Sequence, residues 1–474
     1  MCGIIITENS DSNRKRLDSI SHRGIERTEK TVGNFTLCHH RLPIQTVDGD
    51  SWTQPIEISP GIFLLFNGEI FNYETSIYSS DIEYLVNLFS RYNGSGFEMF
   101  SSLFLPHILN WDGFWAIVIY NANDGEVICF TDPLGKKLLY INDYGEISSE
   151  IKGVYRDKSF SIDDTFISVV RKWGYNTDNR TPYKEIKRIM PNVIYSYNMN
   201  SPMVFKTLPN YYTAWDSPIP ELVGQDYEKH MSWLWEKMVE SIKNRLISKN
   251  YPISVLVSGG LDSSIIAAIL ASESTENISW FTIENGETEY VDLLAKHLDI
   301  KVNKLDYSMD ADTNSEIYTI WNETPVDLGS VIPQYYLFKA IKEQKDQRIV
   351  LSGDGSDELF GGYNRILEYD SQRSDIFEEL SFYHLPRLDK MSMAHTLELR
   401  SPFLHLDIVR FALHLPLEWR KEKKILKDTF SPLLPEEIVN RKKIPLKNPK
   451  IKEDRLKYRH DAIDLFLSSL FRNQ

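Results

Sequence analysis

The chain has 474 residues and a formal net charge of −14. At roughly 100–200 residues per domain, that length calls for two or three domains, and the acidic balance argues against nonspecific nucleic-acid binding and against docking on anionic membranes. No stretch approaches the ~18–20 uncharged apolar residues of a bilayer span, and three scattered cysteines (Cys2, Cys38, Cys129) exclude a disulfide framework and suit a reducing cytoplasm.

Residues 1–10 lack a basic region followed by an apolar core, so no signal peptide is expected. Up to about residue 205 the chain reads mostly as strands. Residues 61–66 (GIFLLF), 115–120 (WAIVIY) and 127–131 are apolar or β-branched runs closed by Asn-Gly, Asn-Asp-Gly or Asp-Pro turn signals. A helix is predicted over 80–92, which opens with Ser-Asp and carries Ile82, Leu85, Val86 and Phe89 at helical spacing. The weakly patterned, Pro-rich stretch 201–220 reads as a connection, which sets the expected domains at 1–205 and 227–474 with a linker over 206–226. From 227 a long helix is predicted to about 248. Strands then follow at 253–257, 278–283, 302–307 and 348–352, with helices at 262–272, 289–298 and 334–344 between them. That alternation predicts a parallel sheet covered by helices. After 374 the chain reads as mainly helical, and 448–474 carry no interpretable motif.

The first chemical signal is Met1-Cys2-Gly3-Ile4. Removal of Met1 would leave Cys2 with both a thiol and a free α-amine. The thiolate is the nucleophile, and an amine of pKa near ~7.7–8.0 can take the thiol proton directly or through a water. Arg41, the run Asn67-Gly68-Glu69 after an apolar strand, and Asp81 at a helix start supply further groups. An amino-acid amide needs a guanidinium for its α-carboxylate and carboxylates for its ammonium. Its scissile carbonyl needs two donors, and an Asn side chain with a Gly N–H can serve.

These residues, with Ser21-His22-Arg23-Gly24, Gln54-Pro55, Asn67–Tyr73, Ser80–Glu83, Asp132–Gly135 and Ser148–Lys152, resemble the class II glutamine amidotransferases over about residues 1–205. The resemblance implies an antiparallel β-sandwich flanked by helices, of the N-terminal-nucleophile hydrolase type. It also implies Cys2 as nucleophile, Asn67 and Gly68 as oxyanion hole, and Arg41, Glu69 and Asp81 as glutamine clamps. One departure stands out: Ile25-Glu26 takes the place of the usual Pro-Asp, so the lid over glutamine is expected to differ.

The second signal is Ser258-Gly259-Gly260-Leu261-Asp262-Ser263-Ser264, between a predicted strand and helix. Glycine N–H groups, serine hydroxyls and a helix N-terminus suit an anion. No G-x-x-x-x-G-K-[ST] match occurs, which disfavours a kinase-like phosphate cradle. The run is similar to the PP-loop of the ATP pyrophosphatases. A second loop, Ser352-Gly353-Asp354-Gly355-Ser356-Asp357-Glu358, also follows a predicted strand. Its acids beside glycines suggest Mg²⁺ bridging phosphates, and ligands of open α/β sheets bind at such strand ends.

Together with Asp389–His395, Glu398–Leu404 and Leu434–Ile438, these loops resemble the glutamine-hydrolysing asparagine synthetases, over roughly residues 1–447 in all. That resemblance implies ATP and Mg²⁺ as cofactors, with Asp262 and Asp357 as metal ligands and the pyrophosphate loop at 258–264. It places the adenosine near Leu256, Ile283, Ser352 and Gly353. Asp354 stands where many members have Glu, near ammonia or the acceptor. Lys443 matches a lysine facing the pyrophosphate, although Ile444-Pro445-Leu446 departs from the pattern around it. The implied reaction is glutamine-dependent amide synthesis through an acyl-adenylate, with aspartate as default acceptor. Free ammonia would be protonated and lost, which favours an enclosed path between the sites. A different carboxylate acceptor, such as a sugar acid, is the second reading, and a non-catalytic binding protein the third; the latter would have lost Cys2 or the acids, and all are present. The assembly is left open, with a homodimer as one form.

Two signals are declined. Cys38-His39-His40 alternate across a strand and cannot converge on a metal, and the basic run 421–427 (KEKKILK) reads as a solvated helix.

Overall fold

The computed structural model describes residues 2–10, 13–45, 52–156, 160–248, 251–273, 277–284, 288–305, 316–326, 328–344, 346–362, 378–441 and 455–472. The N-terminal part holds two antiparallel six-stranded sheets. One is ordered β10 (Ile186–Arg188), β8 (Tyr140–Asn142), β9 (Ile147–Ser148), β1 (Cys2–Glu8), β3 (Phe35–Arg41) and β2 (Glu26–Val32). The other is ordered β12 (Ser201–Pro209), β11 (Val193–Asn198), β7 (Glu126–Thr131), β6 (Gly113–Asn121), β5 (Ile62–Ile70) and β4 (Ile56–Ser59).

Strand periodicity sorts the side chains into layers. Phe63 and Leu65 of β5, Ala116 and Val118 of β6, and Val127 and Cys129 of β7 face Ile4 and Ile6 of β1 in a core between the sheets. The alternate residues Leu64, Phe66, Ile117, Ile119, Ile128 and Phe130 face outward, against the helices Asp81–Phe89 and Phe97–Ile108. Strands apolar on both faces are what a sheet covered on both sides requires, and they explain the unbroken GIFLLF and WAIVIY runs.

The stretch expected as a connection begins instead as β12, which pairs with β11 along Val193↔Pro209 to Ser196↔Lys206. An edge strand with one partner tolerates Pro and needs no apolar alternation, so its pattern reads as loop.

The C-terminal part carries a parallel sheet ordered β15 (Val302–Leu305), β14 (Ile278–Ile283), β13 (Ile253–Leu256), β16 (Ile349–Leu351) and β17 (Glu398–Arg400). The chain winds outward from β13 in both directions, so β13 and β16 flank the point where the connections diverge and a ligand crevice opens. β17 lies in the region expected to be helical. It is three residues long, too short to show a period, and is held by pairing with β16 at Leu351↔Arg400. The outer apolar layer of the sandwich continues without a break into the core of the parallel sheet.

Buried ion pairs join the two parts. Asp112 takes two bonds of 3.0 Å from the Arg245 guanidinium. Asp389 accepts from Arg23 at 3.0 Å and from Lys137 at 2.7 Å. Glu323 receives the N–H groups of Ile151 and Lys152 at 3.1 and 2.8 Å and pairs with Lys390 at 3.0 Å. Charges this deep are stable only when paired, so these contacts fix how the two sheets face each other.

Candidate active sites

Cys2 opens β1, an interior strand, opposite Arg41 of β3. Its backbone nitrogen donates to Asn67 Oδ1 at 2.9 Å, and its carbonyl accepts from Arg23 Nε at 3.1 Å. Burial pushes its thiol up, while the N–H of Leu42 and the charge of Arg41 pull it back. The sulfur is therefore protonated at rest and needs a base. Asn67, Gly68 and Glu69 are consecutive in β5, and Asn67 keeps its Nδ2 buried with no hydrogen-bond partner. A buried, unpartnered amide donor costs about 1–3 kcal/mol, a cost that an incoming carbonyl oxygen would relieve. Gly68 has φ 159°, close to extended, and a Cβ there would meet the Phe114 carbonyl oxygen at 2.1 Å.

The expected clamps gather around this point. Arg41 Nη1 pairs with Glu26 Oε2 at 3.0 Å. Glu26 is thus the acid that faces Arg41, and Ile25-Glu26 lead directly into β2, with Ile25 N–H bonded to the Arg41 carbonyl at 2.8 Å. Gly24 is required there, because a Cβ would lie 2.4 Å from the His40 carbonyl carbon. Glu69 accepts from Gln45 Nε2, and Gln45 in turn accepts from the Tyr73 hydroxyl at 3.0 Å. Asp81 heads the helix Asp81–Phe89, capped by Ser80, and its Oδ2 accepts the Ile70 N–H at 3.1 Å. Burial pushes its carboxyl up to about 7, against the bonds from Ile70 and Ile82. Burial, with Glu398 and Asp81 close by, also holds Glu69 well above the carboxylate range. Carboxyls buried and crowded in this way suit a cation such as an α-ammonium, whose arrival favours their charged forms.

The second site sits at the ends of β13, β14 and β16. Leu256 ends β13, Ile283 ends β14, and Ser352 and Gly353 follow β16. Gly259 takes φ +66°, where a Cβ would press on Tyr290 at 2.7 Å. Ser263 Oγ receives the Ser258 N–H at 3.1 Å and lies 2.9 Å from the Ser258 hydroxyl, and the Gly260 N–H reaches Ser258 Oγ at 3.3 Å. Ser264 is buried beneath the loop with its hydroxyl unpartnered. The two glycine loops touch: Ser356 Oγ donates to Asp262 Oδ1 at 2.6 Å, and a Cβ on Gly353 would meet Asp262 Cβ at 2.9 Å. Asp354 accepts from the Ser352 hydroxyl at 2.7 Å, and burial pushes its carboxyl up.

Asp262 and Asp357 converge on one ammonium. Lys423 Nζ lies 2.6 Å from each carboxylate. Lys423 belongs to the run expected to be solvated, yet it is 8% exposed. It takes a left-handed φ of 59° and donates its N–H to the Phe360 carbonyl at 3.2 Å, which turns the side chain inward. A lysine in a basic heptapeptide carries no local sign of this. Arg441 also reaches the site, with Nη1 3.0 Å from the Ser258 carbonyl. Lys443 lies outside the described residues.

Comparison with known proteins assigns both parts of the chain to family models. Residues 1–206 match the glutamine amidotransferase domain model, and residues 234–384 and 371–470 match the asparagine synthase model. The probable glutamine-hydrolyzing asparagine synthetase of Schizosaccharomyces pombe is 28% identical over 94% of this chain and 84% of its own length. The Gallus gallus glutamine-hydrolyzing asparagine synthetase is 28% identical over 90% of this chain and 79% of its own. A putative glutamine-hydrolyzing asparagine synthetase of Methanocaldococcus jannaschii is 29% identical over 88% and 80%. With these matches spanning both parts, the chain belongs to the asparagine synthetase family and is a carbon–nitrogen ligase of the glutamine-dependent kind.

Proposed function

We propose that the enzyme converts L-aspartate, L-glutamine, ATP and water to L-asparagine, L-glutamate, AMP and pyrophosphate, with residues 1–205 as glutaminase and 227–474 as synthetase. The observation that carries the reading is Asn67, which holds the Cys2 nitrogen at 2.9 Å through Oδ1 and keeps a free, buried Nδ2 beside it. With Met1 removed, that nitrogen is the α-amine. Asn67 then orients it so that its lone pair can take the thiol proton. The Cys2 sulfur attacks the glutamine side-chain carbonyl, the oxyanion falls to Asn67 Nδ2 and the Gly68 N–H, ammonia leaves, and water releases glutamate. Arg41 holds the α-carboxylate; Glu69 and Asp81 hold the α-ammonium.

The family uses ATP. In the synthetase site the aspartate side-chain carboxylate attacks the α-phosphorus, pyrophosphate leaves, and the acyl-adenylate is taken by ammonia. Ser258, Gly259, Gly260, Ser263 and Ser264 receive the leaving pyrophosphate, and Leu256, Ile283, Ser352 and Gly353 surround the adenosine. Asp354, raised by burial, takes the proton that ammonia sheds. Asp262 and Asp357 fit Mg²⁺, because two carboxylates already share one cation at 2.6 Å; a bound Mg²⁺ would supply neutralisation of phosphate charge. Lys443 is assigned to the pyrophosphate on the family resemblance alone. The working compartment is reducing, so that Cys2 stays a thiol.

The test is pyrophosphate release from ATP with a panel of carboxylates, using glutamine and then ammonium as nitrogen source. Cys2→Ala should abolish the glutamine-dependent rate and retain the ammonia-dependent one. Loss of both would refute a dedicated nitrogen-releasing cysteine. Mass spectrometry of the active chain should find Met1 removed.

A further inference from the structure

The glutamine pocket contains residues from the other half of the molecule. Glu398 and Arg400 stand two apart on β17, the edge strand of the parallel sheet, so their side chains leave on the same face. Both are fully buried. Arg400 Nε donates to Glu398 Oε1 at 2.6 Å, and Nη1 donates to the carbonyls of Arg245 and Ile247 at 2.7 and 2.8 Å. Two of its three nitrogens are thereby locked. Nη2 has no hydrogen-bond partner and lies 3.9 Å from Glu69 Oε2. The guanidinium also sits 5.3 Å from the centre of the Phe71 ring, two residues beyond Glu69.

We infer that Arg400 is a positioning residue for glutamine binding: a cation supplied by the synthetase sheet that pulls the buried Glu69 carboxyl toward its charged form, so that the arriving α-ammonium of glutamine completes the ionisation and meets a carboxylate. The inference rests on the glutaminase reading above. Its physical basis is the crowding of carboxylates. Glu69 faces Asp81 and Glu398, all three buried, and like charges in such a place drive one another to take up protons. A neutral Glu69 would lose the charge-assisted pairing on which an ammonium depends. Arg400, held by Glu398 and by two backbone carbonyls of the synthetase half, offsets that crowding. The same residue anchors the nucleotide side, because its carbonyl receives the Ser352 N–H at 3.1 Å, one residue before the Gly353-Asp354 turn.

The test is a double-mutant cycle on glutamine hydrolysis by the full chain, with KM for glutamine as readout, since KM does not depend on the fraction of enzyme that folds. Arg400→Gln should raise KM about tenfold with kcat changed less than about threefold, and Arg400→Lys should recover most of the loss because a cation remains. In a Glu69→Gln background, where no carboxylate remains to hold, Arg400→Gln should raise KM no further. KM within twofold of the parent for Arg400→Gln, or the same increase with and without Glu69, would overturn the inference; if Arg400→Gln does not fold, the neutral Arg400→Met takes its place in both backgrounds under the same criterion. A parent chain that hydrolyses no glutamine would instead remove the glutaminase reading itself.

Discussion

The two reaction sites hold their groups in different ways. In the sandwich, most of the groups proposed for glutamine chemistry lie along strands: Cys2 on β1, Arg41 opposite it on β3, and Asn67, Gly68 and Glu69 in succession on β5, with Asp81 at a helix start. Ladder register sets Cys2 against Arg41, and the packing of the two sheets brings β5 to them, closed by the bond from the Cys2 nitrogen to Asn67 Oδ1. At the parallel sheet, the working groups follow the strands, on glycine loops that touch through Ser356 and Asp262. There the backbone N–H groups and carboxylates are arranged around a place for a ligand, with Lys423 standing between the two acids. A small amide of fixed shape suits a rigid strand scaffold. A polyanion, gripped and then released as pyrophosphate in the proposed reaction, suits loops.

The sharpest way to break this comparison is to remove a carboxylate from the loops. Asp357→Ala should lower pyrophosphate release about a thousandfold with either nitrogen source, while glutamine hydrolysis persists. Near-normal release would take Asp357 out of the site. On the strand side, Asn67→Ala should lower the kcat of glutamine hydrolysis by about 10²–10³, the usual cost of one oxyanion donor, and should spare the ammonia-dependent rate. The contact between the halves can be tested by Asp112→Ala, which strands the buried Arg245 cation. Denaturant unfolding should show a loss of about 3–5 kcal/mol; a loss below about 1 kcal/mol would mean that this pair does not fasten the sheets together.

The smallest effect concerns pH. Burial holds the Asp81 carboxyl at about 7, above its ordinary value, so below that pH it carries a proton and cannot pair with an ammonium. Glutamine binding to Cys2→Ala, which removes the thiol from the titration, should strengthen about tenfold from about pH 6 to about pH 8. Calorimetric titration would show it, and a flat profile would mean that Asp81 does not meet the ligand as a carboxylate.

What could be read beforehand follows the same division. Cys2, the Asn67-Gly68-Glu69 run and the Ser258–Ser264 loop are contiguous signals, and each appears in the structure as one local arrangement. The outward and inward faces of β5 and β6 follow from the period of two. Lys423 and Arg400 were not legible, because their roles arise only when distant segments meet. The inward turn of Lys423 depends on a left-handed residue and on the Phe360 carbonyl, and nothing in KEKKILK signals either. Arg400 belongs to a three-residue strand whose identity comes wholly from its pairing with β16. β12 was read as a connection for a related reason: an edge strand carries a weak pattern.

The ammonium of Lys423 has a consequence for handling the protein. Because the chain provides its own counter-ion for Asp262 and Asp357, the two acids are not left to repel each other when no divalent ion is present. Chelators are therefore expected to leave the melting temperature where it is, and a drop on their addition would mean that the Lys423 ammonium does not neutralise the two acids.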